Sequence, residues 1–500
     1  MKLLNKTFIV LLIFFMVTSC GQFEDLDVPN YNDPNRDQVF NNTQDYPSLL
    51  SGAYNAWWNH IMGASPQFAL MPASETMGSG YGSWGSNPFY AIPRETIPNT
   101  QGDPVLFPQA SWWYGLYQGI PTVNQIMGKL VNENTKVVIG GEDYTSSMMA
   151  HGYLLQGILF GHLAMLYDKA FQMDENTDVQ SYEFQFTGYQ DLMEFAIGRV
   201  ETAIAICDTA SFTDPVEMMP EVTFNDELLS NFANSMGARM LAYNARTGSD
   251  TQNADWAKIL SFAENGLEED FLVGIKDGWR GLVIERDPWG YHQLVLNWGW
   301  VRVHQRLINM LAPDDPNAAF PWPFGVSSLG EVESPDQRFD DYFQFNESIP
   351  WAGAASSKGY HIMTHYSLKR WRDIYDQGVG YVPFYTKTEN DLYFAEANLR
   401  INQNKEEAVS IINNTRVDLG GLELASLSES TEELMEKVYY ERFLETLMTF
   451  PLGSYFDRRR TDVDGFGLYE GTVRHLPVPA QELNLHDFTI YTYGGPENEM

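Results

Sequence analysis

With 66 acidic against 31 basic side chains among 500 residues, the chain carries a formal net charge of −35. That balance excludes a nucleic-acid partner, whose phosphates need basic patches, and suits neutral or cationic ligands better than anionic ones. Aromatic residues reach 14%, with 13 Trp, a composition that fits carbohydrate or peptide capture without choosing between them.

At the N-terminus, Lys2 and Lys6 precede an apolar run from Phe8 to Val17, followed by Val17-Thr18-Ser19-Cys20. Ten apolar residues fall short of the ~20 that a membrane-spanning helix needs. A charged start, a short apolar stretch and small residues before the cut read as a secretory signal over residues 1–19. Its small-small-Cys ending looks like a bacterial lipobox, with Cys20 as the lipid-bearing first residue of the mature chain. Loss of Lys2 and Lys6 with the signal takes the net charge to −37. Lipidation of Cys20 leaves Cys207 without a partner, so the fold must be held by its core and not by an internal disulfide. Residues 20–40 are polar, contain Pro29 and Pro34, and read as a tether rising from the lipid.

The remainder, 41–500, reads as a single helical domain. From Asp45 onward Leu49, Leu50, Ala53, Tyr54 and Trp57 follow helical spacing. A clearer stripe spans 188–208, where Leu192, Met193, Ala196, Val200, Ala203, Ile204 and Cys207 share a face, making Cys207 a buried thiol. Further helices are predicted at 226–247, 253–269 (Trp256, Ile259, Leu260, Ala263 and Leu267 on one face), 388–401, 404–418 and 429–447. Short polar turns such as Arg246-Thr247-Gly248-Ser249 and Asn402-Gln403-Asn404 join them in pairs, which suggests a tetratricopeptide-like stack without the formal repeat consensus. Long irregular insertions rich in Gly, Pro, Asn and aromatics are predicted near 72–104, 272–296 and 312–387. Loops of that length are uncommon unless functional.

Four local patterns together resemble the SusD/RagB family of nutrient-binding outer-membrane lipoproteins of Bacteroidetes. One is the lipobox followed by the acidic tether, where Glu24, Asp25 and Asp27 resemble the surface-export signals of such lipoproteins. A second is Trp113-x-x-x-Tyr117-x-x-Ile120-x-x-x-Asn124. The third pairs Glu396-Ala397 with Ala408-x-x-x-Ile412-Asn413-x-x-Arg416. The fourth, and most specific, runs Glu441-Arg442-x-x-Glu445, Phe456-Asp457-x-Arg459-Arg460 and Leu476-Pro477-Val478-Pro479-x-x-Glu482-Leu483. Arg239-Met240-Leu241-Ala242-Tyr243 through Ala254-Asp255-Trp256-Ala257-Lys258 is similar to one branch. Within the fourth pattern Leu447-Met448-Thr449-Phe450-Pro451 departs from the family's Gly-rich stretch. The resemblance implies a mainly α fold of tetratricopeptide-like units packing against a SusC-like TonB-dependent barrel. It also implies a lid-like role over that barrel at the cell surface, capturing oligosaccharide or, in RagB-like members, peptide.

Glu441, Arg442 and Glu445 lie one helical turn apart and read as an ion network with Arg459 or Arg460, in preference to a glycosidase carboxylate pair. His361 and His365 have the i, i+4 spacing of two metal ligands, but no third ligand accompanies them, so they read as a loop or surface pair. The run Gly78 to Gly85 lacks both a nucleophile elbow and a phosphate loop's Lys and Ser/Thr. Asp314-Asp315 and Asp462-x-Asp464-Gly465 read as solvated turns; a structural Ca²⁺ there is the one cofactor the residues leave open. Trp112, Trp113, Trp256 and at least one of Trp57 and Trp58 belong to the core. Sugar recognition needs an exposed ring beside amide or carboxylate groups, and Trp84 with Tyr81 and Asn87 offers that combination. The corresponding loop carries ligand contacts in the family. Trp322 and Trp351 are further ligand candidates, equally suited to contacting the barrel. The resulting expectation is a non-enzymatic binding protein delivering an oligosaccharide, with peptide capture as the alternative. A surface glycoside hydrolase or an adhesin lacks the constellation or the repeats it would need.

Overall fold

The computed structural model describes residues 40–63, 69–79, 87–100, 107–178, 181–276, 278–279, 301–321, 329–347, 363–372, 380–447, 449–461, 463 and 465–496. Two units divide the chain, Met1–Asp45 and Tyr46–Met500. In the first, the described residues end in a 3₁₀ turn, Thr43–Asp45. Cys20 and the tether up to residue 39 lie outside the described residues.

The second unit is mainly helical. Helix α1 (Tyr46–Ile61) buries Leu50, Ala53, Tyr54, Trp57, Trp58 and Ile61. Both tryptophans of the Trp57-Trp58 pair are therefore core. Helix α2 spans Phe107–Met127 and α3 Thr145–Leu166, the latter buried along almost its whole length. Apolar residues cover every side of α3, so it carries no stripe, and the periodicity reading passed over it. Next come the hairpin strands β2 (Lys169–Phe171) and β3 (Phe186–Gly188), after β1 (Met77–Ser79) earlier in the chain. Helices α4 (Tyr189–Cys207), α5 (Asp226–Asn244) and α6 (Trp256–Glu264) follow.

Each of these helices packs on its sequence neighbour: α3 on α4, α4 on α5, α5 on α6. The stack continues as α6 meets α7 (Lys387–Ile401), which packs on α8 (Lys405–Arg416) and α9 (Thr431–Glu445). Ala395, Leu399, Ala408, Ile412, Leu434 and Val438 close the core between the last three, and full burial of each large apolar side chain contributes roughly 1.5–3 kcal/mol. Caps set the boundaries more tightly than the periodicity did. Thr247, with Asp250, starts the one-turn helix Gly248–Gln252, and Asp255 caps α6. Asn404 caps α8, and Ser430 with Glu433 forms a capping box on α9.

Helices α3 and α4 cross closely at Gly157. A Cβ on Gly157 would stand 2.6 Å from Val200 Cγ2 and 2.9 Å from the Ala196 carbonyl oxygen, whereas one on Gly198 meets nothing within 4 Å. Gly157→Ala is expected to destabilise by about 1–3 kcal/mol through overpacking. Gly198→Ala, at an exposed position in the interior of α4, is expected to stabilise by up to ~1 kcal/mol through helix propensity. Urea unfolding of both variants checks the pair; the same response at both sites would contradict a tight α3–α4 crossing.

The spans read as irregular insertions are partly ordered among their described residues. Strand β4 (Phe271–Gly274) pairs antiparallel with β8 (Tyr381–Tyr385). β5 (Val301–Val303) pairs with β1, and β6 (Phe343–Phe345) with β7 (Tyr366–Leu368). Strands of three to five residues are too short to show a period-two pattern. Among the described residues no helix is long and apolar enough to cross a membrane. Cys207 is buried and free, and burial together with Asp226, Asp208 and Asp214 pushes its thiol up to about 12, which makes it unreactive.

Candidate functional site

The insertions spring from one small strand assembly. Ser79 at the end of β1 pairs with Val301 at the start of β5, so segment 80–86 leaves where segment 280–300 arrives. The other flank of 280–300 is tied to α1: Asn55 and Asn59 each donate to the Gly278 carbonyl at 3.0 Å, and Trp279 packs edge-on against Trp58 at 6.0 Å. At the far end of β5, the His304 amide donates to the Thr76 carbonyl, and His304 forms a bridge with Met363. Met363 closes segment 348–362, which joins β6 to β7. Phe320, just before segment 322–328, packs its ring against His304 at 5.8 Å.

Tyr81, Trp84, Trp322 and Trp351 lie outside the described residues, as do His361, Asp462 and Asp464. Asn87 opens the one-turn helix Asn87–Tyr90, but its side chain is likewise outside them. What the structure does place are residues flanking these segments: Ser79 and Val301 at one end of the β1–β5 ribbon, His304, Phe320 and Met363 at the other.

Beneath this ribbon sits a buried polar cluster that sequence reasoning missed. Glu75 is buried with φ 57, a left-handed conformation that costs a non-glycine residue of order 1–3 kcal/mol. It is held by an ion pair to Arg94 at 3.5 Å and a second to Arg306. Burial would raise its carboxyl, but Arg306 and Arg94 outweigh that and hold it below its ordinary value. Arg306 also donates to the Gly465 and Gly467 carbonyls at 2.7 and 3.1 Å, fixing the strap after Thr461. Burial pushes His304 down to about 3, so its neutral ring accepts the Arg306 amide at Nδ1, 3.0 Å away. These residues come from four separate segments with no shared spacing, so no sequence signal could have gathered them.

Helix α10 (Gly453–Arg460) explains the C-terminal pattern. Arg459 donates to the carbonyls of Met165 (2.7 Å), Tyr243 (2.6 Å) and Arg474 (2.8 Å). It thereby closes the ends of both α3 and α5. Arg460 joins Glu396 (2.7 and 2.8 Å) and Asp457 (2.8 Å), and Arg442 joins the same two carboxylates at 2.8 Å each. The expected network thus forms around Arg442 and Arg460 but not Arg459, and Glu441 and Glu445 belong elsewhere. Arg338 takes both, at 2.6 and 3.0 Å, together with Asp336 at 2.7 Å. Sequence spacing put the two glutamates on the right helix but could not show an arginine about a hundred residues away.

The other resemblance patterns are structural too. The Tyr117 hydroxyl donates to the Phe171 carbonyl at 2.6 Å, Asn124 to Met173 at 3.1 Å, and Asn413 to Ala425 at 3.0 Å. Trp112, Trp113 and Trp256 are buried, in agreement with their helical stripes. His365 sits in a turn before β7, its Nδ1–H donating to the Asn346 carbonyl at 2.8 Å, so the helical spacing to His361 does not apply at that end. The Asp315 carboxylate accepts from the amides of Asn317 and Glu333, both at 2.8 Å. Among the described residues no three His, Cys, Asp or Glu side chains gather as metal ligands.

No family model and no curated protein sequence matches the chain. Solved structures do. A SusD superfamily protein from Bacteroides vulgatus matches 89% of this chain and 97% of its own, with TM-score 0.56 and 14% identity. One from Parabacteroides distasonis matches 88% and 97%, with TM-score 0.57 and 13% identity. Surface glycan-binding protein A from Bacteroides uniformis matches 90% and 99%, with TM-score 0.56 and 15% identity. Helical stack, small paired strands and nearly full mutual coverage agree: this chain has the SusD-superfamily fold.

Proposed function

We propose that the chain is a non-catalytic, lipid-anchored protein of the outer-membrane surface that captures a neutral oligosaccharide and delivers it to a SusC-like TonB-dependent transporter. The observation carrying this reading is the fold shared over 90% of this chain with a surface glycan-binding protein. Supporting it, the net charge of −35 suits a neutral ligand, and Cys20 follows a lipobox-like segment. The segment 80–86, which holds Tyr81 and Trp84, follows a strand whose register is fixed against β5. Glu441 and Glu445, the carboxylates that the sequence set beside a glycosidase pair, are both bound by Arg338 as an ion network. No cofactor enters this reading.

The test is binding of the soluble chain, begun after Cys20, to arrays of neutral oligosaccharides and of peptides, with product analysis after long incubation. Wild type is expected to bind a glycan set saturably and leave it intact. Trp84→Ala should weaken that binding about tenfold, the equivalent of ~1.4 kcal/mol. Peptide binding alone would favour the RagB-like reading, and cleaved products would overturn the non-catalytic one.

A further inference from the structure

We propose a second carbohydrate-binding surface, formed by Tyr114 on α2, Phe184 before β3, and Glu482 and His486 at helix α11 (Ala480–Leu485), elements that carry none of the ligand loops. It rests on the glycan reading above.

The centre is the Glu482 carboxylate, with His486 Nε2 3.2 Å from it. Burial, together with the Glu482 charge beside it, raises the Tyr114 phenol to about 12. A carboxylate accepts about four hydrogen bonds, so lone pairs remain for a ligand. Phe184 lies on the His486 imidazole with centroids 3.8 Å apart and planes at 28°. The His486 side chain is 16% exposed and Phe184 38%, so the phenyl is the more exposed of the two. Tyr182 at 5.0 Å and Phe171 at 5.1 Å pack against Phe184, both near perpendicular to it. Tyr114, on the other side of the carboxylate, is 44% exposed.

Two fixed, exposed rings therefore flank an oriented acceptor. A pyranose needs that set: rings for its C–H faces, and a carboxylate for its hydroxyls. An anionic sugar would meet Glu482 with like charge, so the ligand class is a neutral glycan. Exposed rings held this firmly lose little freedom on binding, which favours a preformed site. Glu482 and His486 share an i, i+4 spacing, but the ring pair arises only where the segment before β3 meets the residue after α11.

Calorimetry of the soluble chain with gluco-, xylo-, manno- and galacto-configured neutral hexasaccharides tests this. Wild type is expected to bind two molecules of one of these per chain. Phe184→Ala and Tyr114→Ala should each leave one, Trp84→Ala should leave one, and the Trp84→Ala/Phe184→Ala pair none. Glu482→Gln should weaken the second site at least fivefold, and because Tyr114 and Phe184 are exposed, thermal unfolding should confirm that their variants fold. A stoichiometry unchanged by Phe184→Ala, Tyr114→Ala and Glu482→Gln overturns the second surface while the loop site stands. Binding that survives Trp84→Ala and is abolished by Phe184→Ala keeps this surface and removes the loop site. No binding of any hexasaccharide by wild type overturns both.

Discussion

Glu396→Ala is expected to lower stability by about 3–5 kcal/mol, the cost of removing one partner from a buried ion network. Glu396 is fully buried on α7 and receives Arg460, Arg442 and Arg400, the last through Nε at 2.7 Å. Without it, the fully buried Arg442 and Arg460 share Asp457, and Arg400 loses its carboxylate and keeps its bond to the Tyr439 hydroxyl. The network joins α7, α9 and α10, so its loss loosens three helices together. Burial alone would raise the Glu396 carboxyl, but Arg460, Arg442 and Arg400 hold it well below the usual range. A carboxyl depressed in the folded state stabilises fully above its unfolded value of about 4.3 and loses that contribution as pH falls toward the folded one. The gap between wild type and Glu396→Ala should hold from pH 7 to about 5 and shrink under stronger acid. Urea unfolding at several pH values measures it, and a variant within ~1 kcal/mol of wild type at pH 7 would refute the network's role.

Arg459→Met is expected to cost about 3–6 kcal/mol by a different route. Its guanidinium bonds the carbonyls of Met165, Tyr243 and Arg474, and each buried carbonyl left without a donor costs ~1–3 kcal/mol. Burial lowers the Arg459 guanidinium to about 10, which still leaves it charged at neutral pH and able to face the negative ends of α3 and α5. Arg459→Lys retains the charge but not the planar fork, so an intermediate loss is expected. Hydrogen exchange should show the last turns of α3 and α5 opening first. Uniform loss of protection across the whole unit would contradict a capping role.

Amphipathic helices were the legible part of this fold. Leu192, Met193, Ala196, Val200, Ala203 and Cys207 are buried on α4, as their spacing required, while Ile204 of the same stripe is half-buried. Helix α3 was illegible for the opposite reason, because a segment buried on every side has no polar face to set a phase. The C-terminal motif revealed that arginines and carboxylates would meet, but not their pairing. Asp457 and Glu396 bind Arg442 and Arg460, while Glu441 turns to Arg338, and only the tertiary fold decides between them. Exposed rings are harder still. Trp84 stands out in a Gly-rich run, whereas Phe184 gains meaning only from His486, some three hundred residues later.

The β1–β5 ribbon separates what may not vary from what can. Its register is written in backbone hydrogen bonds between residues 77–79 and 301–303, and its footing in Glu75, Arg94 and Arg306. Ser79 and Val301, which flank segments 80–86 and 280–300, pair at one end of it, so exchange of the two segments together as one cassette is expected to leave the arginine-bound helices folded.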